Sequence, residues 1–232
     1  MRNGIHTRWV AALAMVAGFL AASLVSAQEP TAEEALKKTT EEVLAVIEEA
    51  SDYVKEDPDR YYRRVNEVLD SAVDFRGFAR GVMGDYASSE RYRALDEAGR
   101  EKLRDQLDRF TEAMRDGLVR TYSKGLLAFG GSRVELDRER STGAGDGDAS
   151  RATLRQLIYS DDSDPYVVVY QMAKGRDGQW LMRNLIVENV NLGQIYRGQF
   201  EAAARKFDGD LDKVIADWEI EPVEEIEAET TA

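Results

Sequence analysis

Apolar residues recur every three or four positions through the first half of the chain, then every second position through most of the stretch from Val134 to Leu192. Leu36, Thr40, Val43, Ile47 and Ala50 keep helical spacing behind Thr31 and Glu34, a pair that fits a capping box. Asp57-Pro58 stops that helix and starts another, because proline suits a first helical turn. Tyr61, Tyr62, Val65 and Leu69 form the apolar side of the second helix. A short third helix is predicted from Asp74 to Gly84. The longest runs from Glu97 to Ala128, where Leu103, Leu107, Phe110, Met114, Leu118, Tyr122 and Leu126 make one stripe and charged residues take the other faces. Gly130-Gly131 ends it.

The period then changes from 3.6 to 2. Val134 and Leu136 predict one strand, "RATLRQLIYS" a second, "YVVVYQMAK" a third and "WLMRNLIVENVNL" a fourth. The polar and glycine-rich turns between them predict an antiparallel meander. Closing helices are predicted from Gly193 to Phe207 and from Asp210 to Trp218. In "VENVNLGQIYRGQF" (Val187 to Phe200) the strand pattern passes directly into an aromatic helix. Helices, then a sheet, then helices give an α+β fold. The predicted layout is a helical part at residues 31–129, a sheet at 132–192 and closing helices at 193–218. The acidic tail, 219–232, reads as disordered.

The first 27 residues stand apart. They carry Arg2 and Arg8, an uncharged apolar run from Trp9 to Val25, and then Val25-Ser26-Ala27. This is the pattern of a cleavable export signal at 1–27. The run is 17 residues, short of the ~20 that a membrane span needs. Without Arg2 and Arg8, 29 basic residues face 44 acidic ones, a net charge of −15. Such a chain is repelled by nucleic acid and by anionic membrane surfaces. There is no Cys, so the core must hold without disulfides. The single His is His6, inside the signal, which removes Ser-His-Asp triads, Cys nucleophiles and the usual zinc sites from the remaining chain.

"DGDLDKVIADWE" alternates Asp208, Asp210 and Asp212, but an EF-hand loop needs glycine where Lys213 stands, so a charged helix start is the reading. Asp146 and Asp148 read as a solvated loop, and no glycine pattern makes a phosphate loop. No metal, cofactor or catalytic residue is assigned. Arg80, Arg120 and Arg197 lie beside apolar positions, where a guanidinium can pair with a local acid or hold an anionic head group. Residues alone reach an exported α+β binding protein.

Three stretches together resemble the MlaC-type periplasmic lipid carriers, also called toluene-tolerance auxiliary proteins. The first is "DFRGFARGVMGDY", through Asp74, Phe75, Ala79, Arg80, Met83 and Gly84. The second is Gln106, Phe110, Met114, Leu118 and Tyr122, ending in "LVRTY". The third carries Trp180, Leu192, Tyr196, Arg197 and Phe200. Order and spacing match over roughly Leu36 to Trp218. Ala87, Asn184, Asn189 and Asn191 depart from the family's usual Trp, Asp, Gly and Ser, which bears on cargo and partner contacts rather than on the core.

The resemblance implies a twisted antiparallel sheet wrapped by helices, with acyl chains between them. It implies a monomer of the Gram-negative periplasm that shuttles phospholipid and maintains outer-membrane lipid asymmetry. The partners implied are an outer-membrane lipoprotein–porin complex and an inner-membrane ABC transporter with an MCE-domain subunit. The expected pocket has Phe75, Phe78, Val82 and Met83 on the short helix and Phe110, Leu118 and Tyr122 on the long one. Val168, Tyr170, Leu185 and Val187 of the sheet and Tyr196 and Phe200 of the closing helix face them, with Arg80 or Arg197 at the head group. Three other readings stand beside it: an enzyme on the same scaffold using Asp74 and Tyr170, an adaptor with a filled core, and a carrier of another lipid such as a hopanoid.

Overall fold

Polar caps fix where the helices begin. A computed structural model describes residues 29–143, 145, 149–159 and 164–223. The segment read as an export signal, Asp146, Asp148 and the tail from residue 224 lie outside the described residues. Helix α1 (Ala32–Ala50) carries the full capping box: Thr31 Oγ1 accepts from the Glu34 N–H (3.2 Å), and Glu34 Oε2 accepts from the Thr31 N–H (2.8 Å). Asp57 caps α2 (Pro58–Ala72), Asp74 caps α3 (Phe75–Met83) and Asp96 caps the 30-residue α5 (Glu97–Leu126). Each such cap stabilises its helix by ~1 kcal/mol. Between α3 and α5 lies α4 (Ser89–Ala94), capped by Ser88 and too short to show an apolar period.

Strands β1 (Arg133–Leu136), β2 (Arg151–Tyr159), β3 (Tyr166–Lys174) and β4 (Trp180–Val187) match the four expected, and β5 (Val190–Asn191) adds two residues. The sheet runs β1-β2-β3-β4-β5, antiparallel throughout. Between β3 and β4 the register jumps: Gln171 pairs with Asn184, but Met172 pairs with Met182. Arg183 is therefore the extra residue of a bulge, which re-aims side chains on either side of it. Before it Trp180 and Met182 face inward; after it Leu185 and Val187 do. The bulged Arg183 reaches Asp74, 3.0 Å away.

The strand-to-helix passage contains a tight hairpin at Glu188, whose φ is +52°, before α6 (Leu192–Lys206) begins. Asparagines weld it. Asn191 Oδ1 accepts from the Gln194 N–H (3.2 Å) and from Asn184 Nδ2 (3.0 Å), and Asn184 Oδ1 accepts from the Gly193 N–H (3.1 Å). The last helix, α7 (Leu211–Ala216), is capped by Asp210, and Asp212 is bound by Arg109, Lys102 and Gln106, which hold its carboxyl at about 2. The aspartate run is thus a helix start tied to α5.

Three apolar clusters form the core. One joins α3, the first half of α5, α6 and α7, with Phe110 packed edge-on to Phe200 (4.9 Å) and Trp218 (5.1 Å). A second joins the start of α1 to β2, β3 and β4. A third joins the end of α1 to α2 and Val119 of α5.

The tail departs from expectation at its start. Trp218, Ile220 and Val223 pack against the first cluster, and the Glu221 carbonyl accepts from the Tyr196 hydroxyl (3.4 Å). Ile220 sits over Gly117, where an added Cβ would lie 2.3 Å from Ile220 Cγ1. Gly117→Ala is expected to cost ~1–3 kcal/mol and to lift residues 218–223 off α5. Tryptophan fluorescence at longer wavelength than wild type is the readout; an unchanged spectrum and melting temperature would contradict this seat.

Candidate functional site: an apolar cavity where three cores meet

The three clusters do not close on one another. Between them lies a cavity of about 710 Å³. Its helical walls come from one face of α1 (Leu36, Val43, Leu44, Ile47), from Val65 and Leu69 of α2, and from Leu118, Tyr122 and Leu126 of α5. Phe75 and Phe78 of α3 close one side. The floor is the sheet's inner face: Val134, Gln156, Ile158, Tyr166, Val168, Tyr170, Leu185 and Val187. Lys124, Ala128 and Arg183 are the exposed members of the lining. Tyr61, which packs behind α5, donates its hydroxyl to the Ser123 carbonyl (2.8 Å), and burial pushes its phenol well above the usual range.

Of the residues expected from the sequence, Phe75, Phe78, Leu118, Tyr122, Val168, Tyr170, Leu185 and Val187 line this cavity. Val82, Met83, Phe110, Tyr196 and Phe200 do not; they lie in the first cluster, at 0% exposure. Helix α6 turns its aromatic face toward α3 and α5, and the Tyr196 hydroxyl lies 2.6 Å from that of Tyr122 in the cavity wall. Arg80 and Arg197 also lie off the lining. Arg80 is exposed, and Arg197 bridges Asp85 (3.7 Å) and Glu201 (3.1 Å).

The sequence reading missed α1 as a wall. Its helical spacing was visible, but periodicity does not say what a face meets. The doubled apolar pair Val43-Leu44 was the available signal, since it widens the stripe beyond what one neighbour covers. Asp74, a candidate acid for an enzyme, instead caps α3 through the Gly77 N–H (2.8 Å) and pairs with Arg183. No carboxylate stands among the lining residues, and no group of acidic or His side chains suits a metal among the described residues.

These features define a class: an α+β protein whose sheet and helices enclose an apolar cavity. The family described as MlaC protein matches residues 37–220, and the chain belongs to that family. It is 27% identical over 194 residues to the toluene tolerance protein ttg2D of Pseudomonas putida, an alignment covering 84% of this chain and 81% of that protein. Its fold is similar to that of the phospholipid-binding protein of Ralstonia solanacearum, solved in complex with a phospholipid. The TM-score is 0.64 at 17% identity, over 88% of this chain and all of the other.

Proposed function

We propose that this protein is a phospholipid carrier of the periplasm. The cavity is the observation that carries the reading. At about 710 Å³ it lies within the ~300–1,000 Å³ of ligand pockets, and its wall is mostly hydrocarbon. Apolar cargo entering it takes that hydrocarbon wall out of water, which is favourable at ~25 cal/mol per Å² of apolar surface covered. Water is a poor filler for such a space. Acyl chains suit it.

A carrier is what the same physics requires. Exposing a lipid's two tails to water costs on the order of 20 kcal/mol, at ~0.8 kcal/mol per methylene. Release into water is therefore too slow to be useful, and the cargo passes directly between apolar sites. Membership of the MlaC family supports donor and acceptor complexes at the two membranes: an outer-membrane lipoprotein–porin complex and an inner-membrane ABC transporter with an MCE-domain subunit. The apolar run before Gln28 supports export. The head group stays at the rim, where Lys124 and Arg183 are the cationic members of the lining. An enzyme would need an acid facing the cavity, and Asp74 is committed elsewhere. An adaptor would have a filled core.

Native mass spectrometry of the purified protein, followed by solvent extraction, tests the reading. Phospholipid at a fixed stoichiometry is expected. A lipid-free protein that also ignores added phospholipid vesicles would sink it, and a hopanoid in the extract would redirect it to another lipid class.

A further inference from the structure

The polar side chains set into the cavity wall are not equally occupied. Thr39 and Thr40 turn their hydroxyls back onto α1, donating to the carbonyls of Ala35 (3.1 Å) and Leu36 (2.9 Å). Ser123 belongs to the lining, but its hydroxyl is wholly buried and out of a ligand's reach. Gln156 and Tyr170 differ from these.

Gln156 is 5% exposed on the inner face of β2, and its Nε2 donates to Thr40 Oγ1 at 2.9 Å. Thr40 has already given its proton to Leu36, so its oxygen can only accept, and this fixes which end of the Gln156 amide faces it. The second N–H and the amide oxygen of Gln156 have no hydrogen-bond partner among the described residues. Tyr170 stands on the same face of β3. The register pairs Gln156 with Val168 and Leu154 with Tyr170, so Gln156 and Tyr170 are diagonal neighbours, a spacing of ~7–8 Å. The Tyr170 hydroxyl also has no partner among the described residues, and burial pushes its phenol well above the usual range, so it remains a donor. An apolar side chain would suit either position better in a wall that met only hydrocarbon.

We propose that Gln156 and Tyr170 form a hydrogen-bonding subsite inside the cavity that takes an oxygen carried by the bound lipid. The oxygen is an ester carbonyl at the glycerol backbone or one further along an acyl chain; both offer an acceptor to the Tyr170 hydroxyl and the free amide N–H. The inference rests on the carrier reading and extends it to the cargo's chemistry: the cavity reads oxygen as well as tail volume.

The test is competition on the lipid-stripped protein, read by native mass spectrometry with three phosphatidylglycerols of equal chain length. One is a diester, one a diether, and one a diether with a hydroxyl on one chain. Wild type is expected to favour an oxygenated probe over the plain diether by about three- to tenfold, the range of one or two neutral hydrogen bonds. Tyr170→Phe and Gln156→Leu should each bring that ratio toward one. Preference for the diester assigns the ester carbonyl; preference for the hydroxylated diether assigns the chain oxygen. Tyr170→Phe removes a single oxygen at constant shape, so the test survives if Gln156→Leu folds poorly. Equal binding of all three probes by wild type, or a preference that both variants retain, overturns the subsite. No binding of any probe overturns the carrier reading and the subsite with it.

Discussion

Purified Val168→Trp protein will carry at most a tenth of the lipid that wild type carries, while keeping its fold. Val168 is 7% exposed at the centre of the floor, in register with Gln156 on one side and Val187 on the other, and all three line the cavity. An indole there occupies the space the tails need. Enlarging a residue in a tight core costs ~1–3 kcal/mol, but here the new rings enter open apolar space. Leu44→Trp, from the opposite wall, should act the same way. Extraction and lipid quantification, with circular dichroism as the check on folding, decide the matter. Native spectra with wild-type lipid content in both variants would mean that the cavity is not the binding site.

Phe110→Ala should do the reverse. Phe110 is 0% exposed and lies against Phe200 and Trp218, away from the cavity. Truncating a buried Phe costs ~3–5 kcal/mol, which for a domain of this size lowers the melting temperature by about 6–20 °C. Lipid per folded molecule should stay near wild type. Thermal melting and extraction on one preparation give both numbers. Lipid loss without loss of stability would return Phe110, and with it Tyr196 and Phe200, to the pocket expected from the sequence. The two variants together separate what holds the protein from what the protein holds.

Much of the fold was legible because its signals are local. Thr31, Asp57 and Asp96 mark helix starts by the hydrogen bonds that short polar side chains make, and glycine-rich turns mark the ends of strands. The cavity's contents were less legible, for two physical reasons. Periodicity names the residues that share a face but not what the face meets; the aromatic stripe of α6 looks like a pocket wall and is core, whereas α1, which shows only helical spacing, supplies a wall. A single bulged residue also flips strand parity. At Arg183 the inward positions change from even to odd, and alternation read from "WLMRNLIV" cannot show where. Strand β5 is too short to alternate, and Ile220 lies in a stretch whose acidic composition resembles a free tail.

The joining of α1 to the sheet also bears on how the chain folds. Thr40 meets Gln156 across 116 residues, and Ala32 and Leu36 pack with Met172 and Trp180. The start of the first helix to be made therefore has its partners in strands made much later, while its end packs on α2. Closing so long a loop places the contact late, since rates fall as contacts become less local. The helical half can assemble from neighbours in sequence, α1 on α2, α2 on α5 and α3 on α5, while the start of α1 waits for the meander. The seam that closes last is the one that bounds the cavity, so the final step of folding is also the step that builds the site.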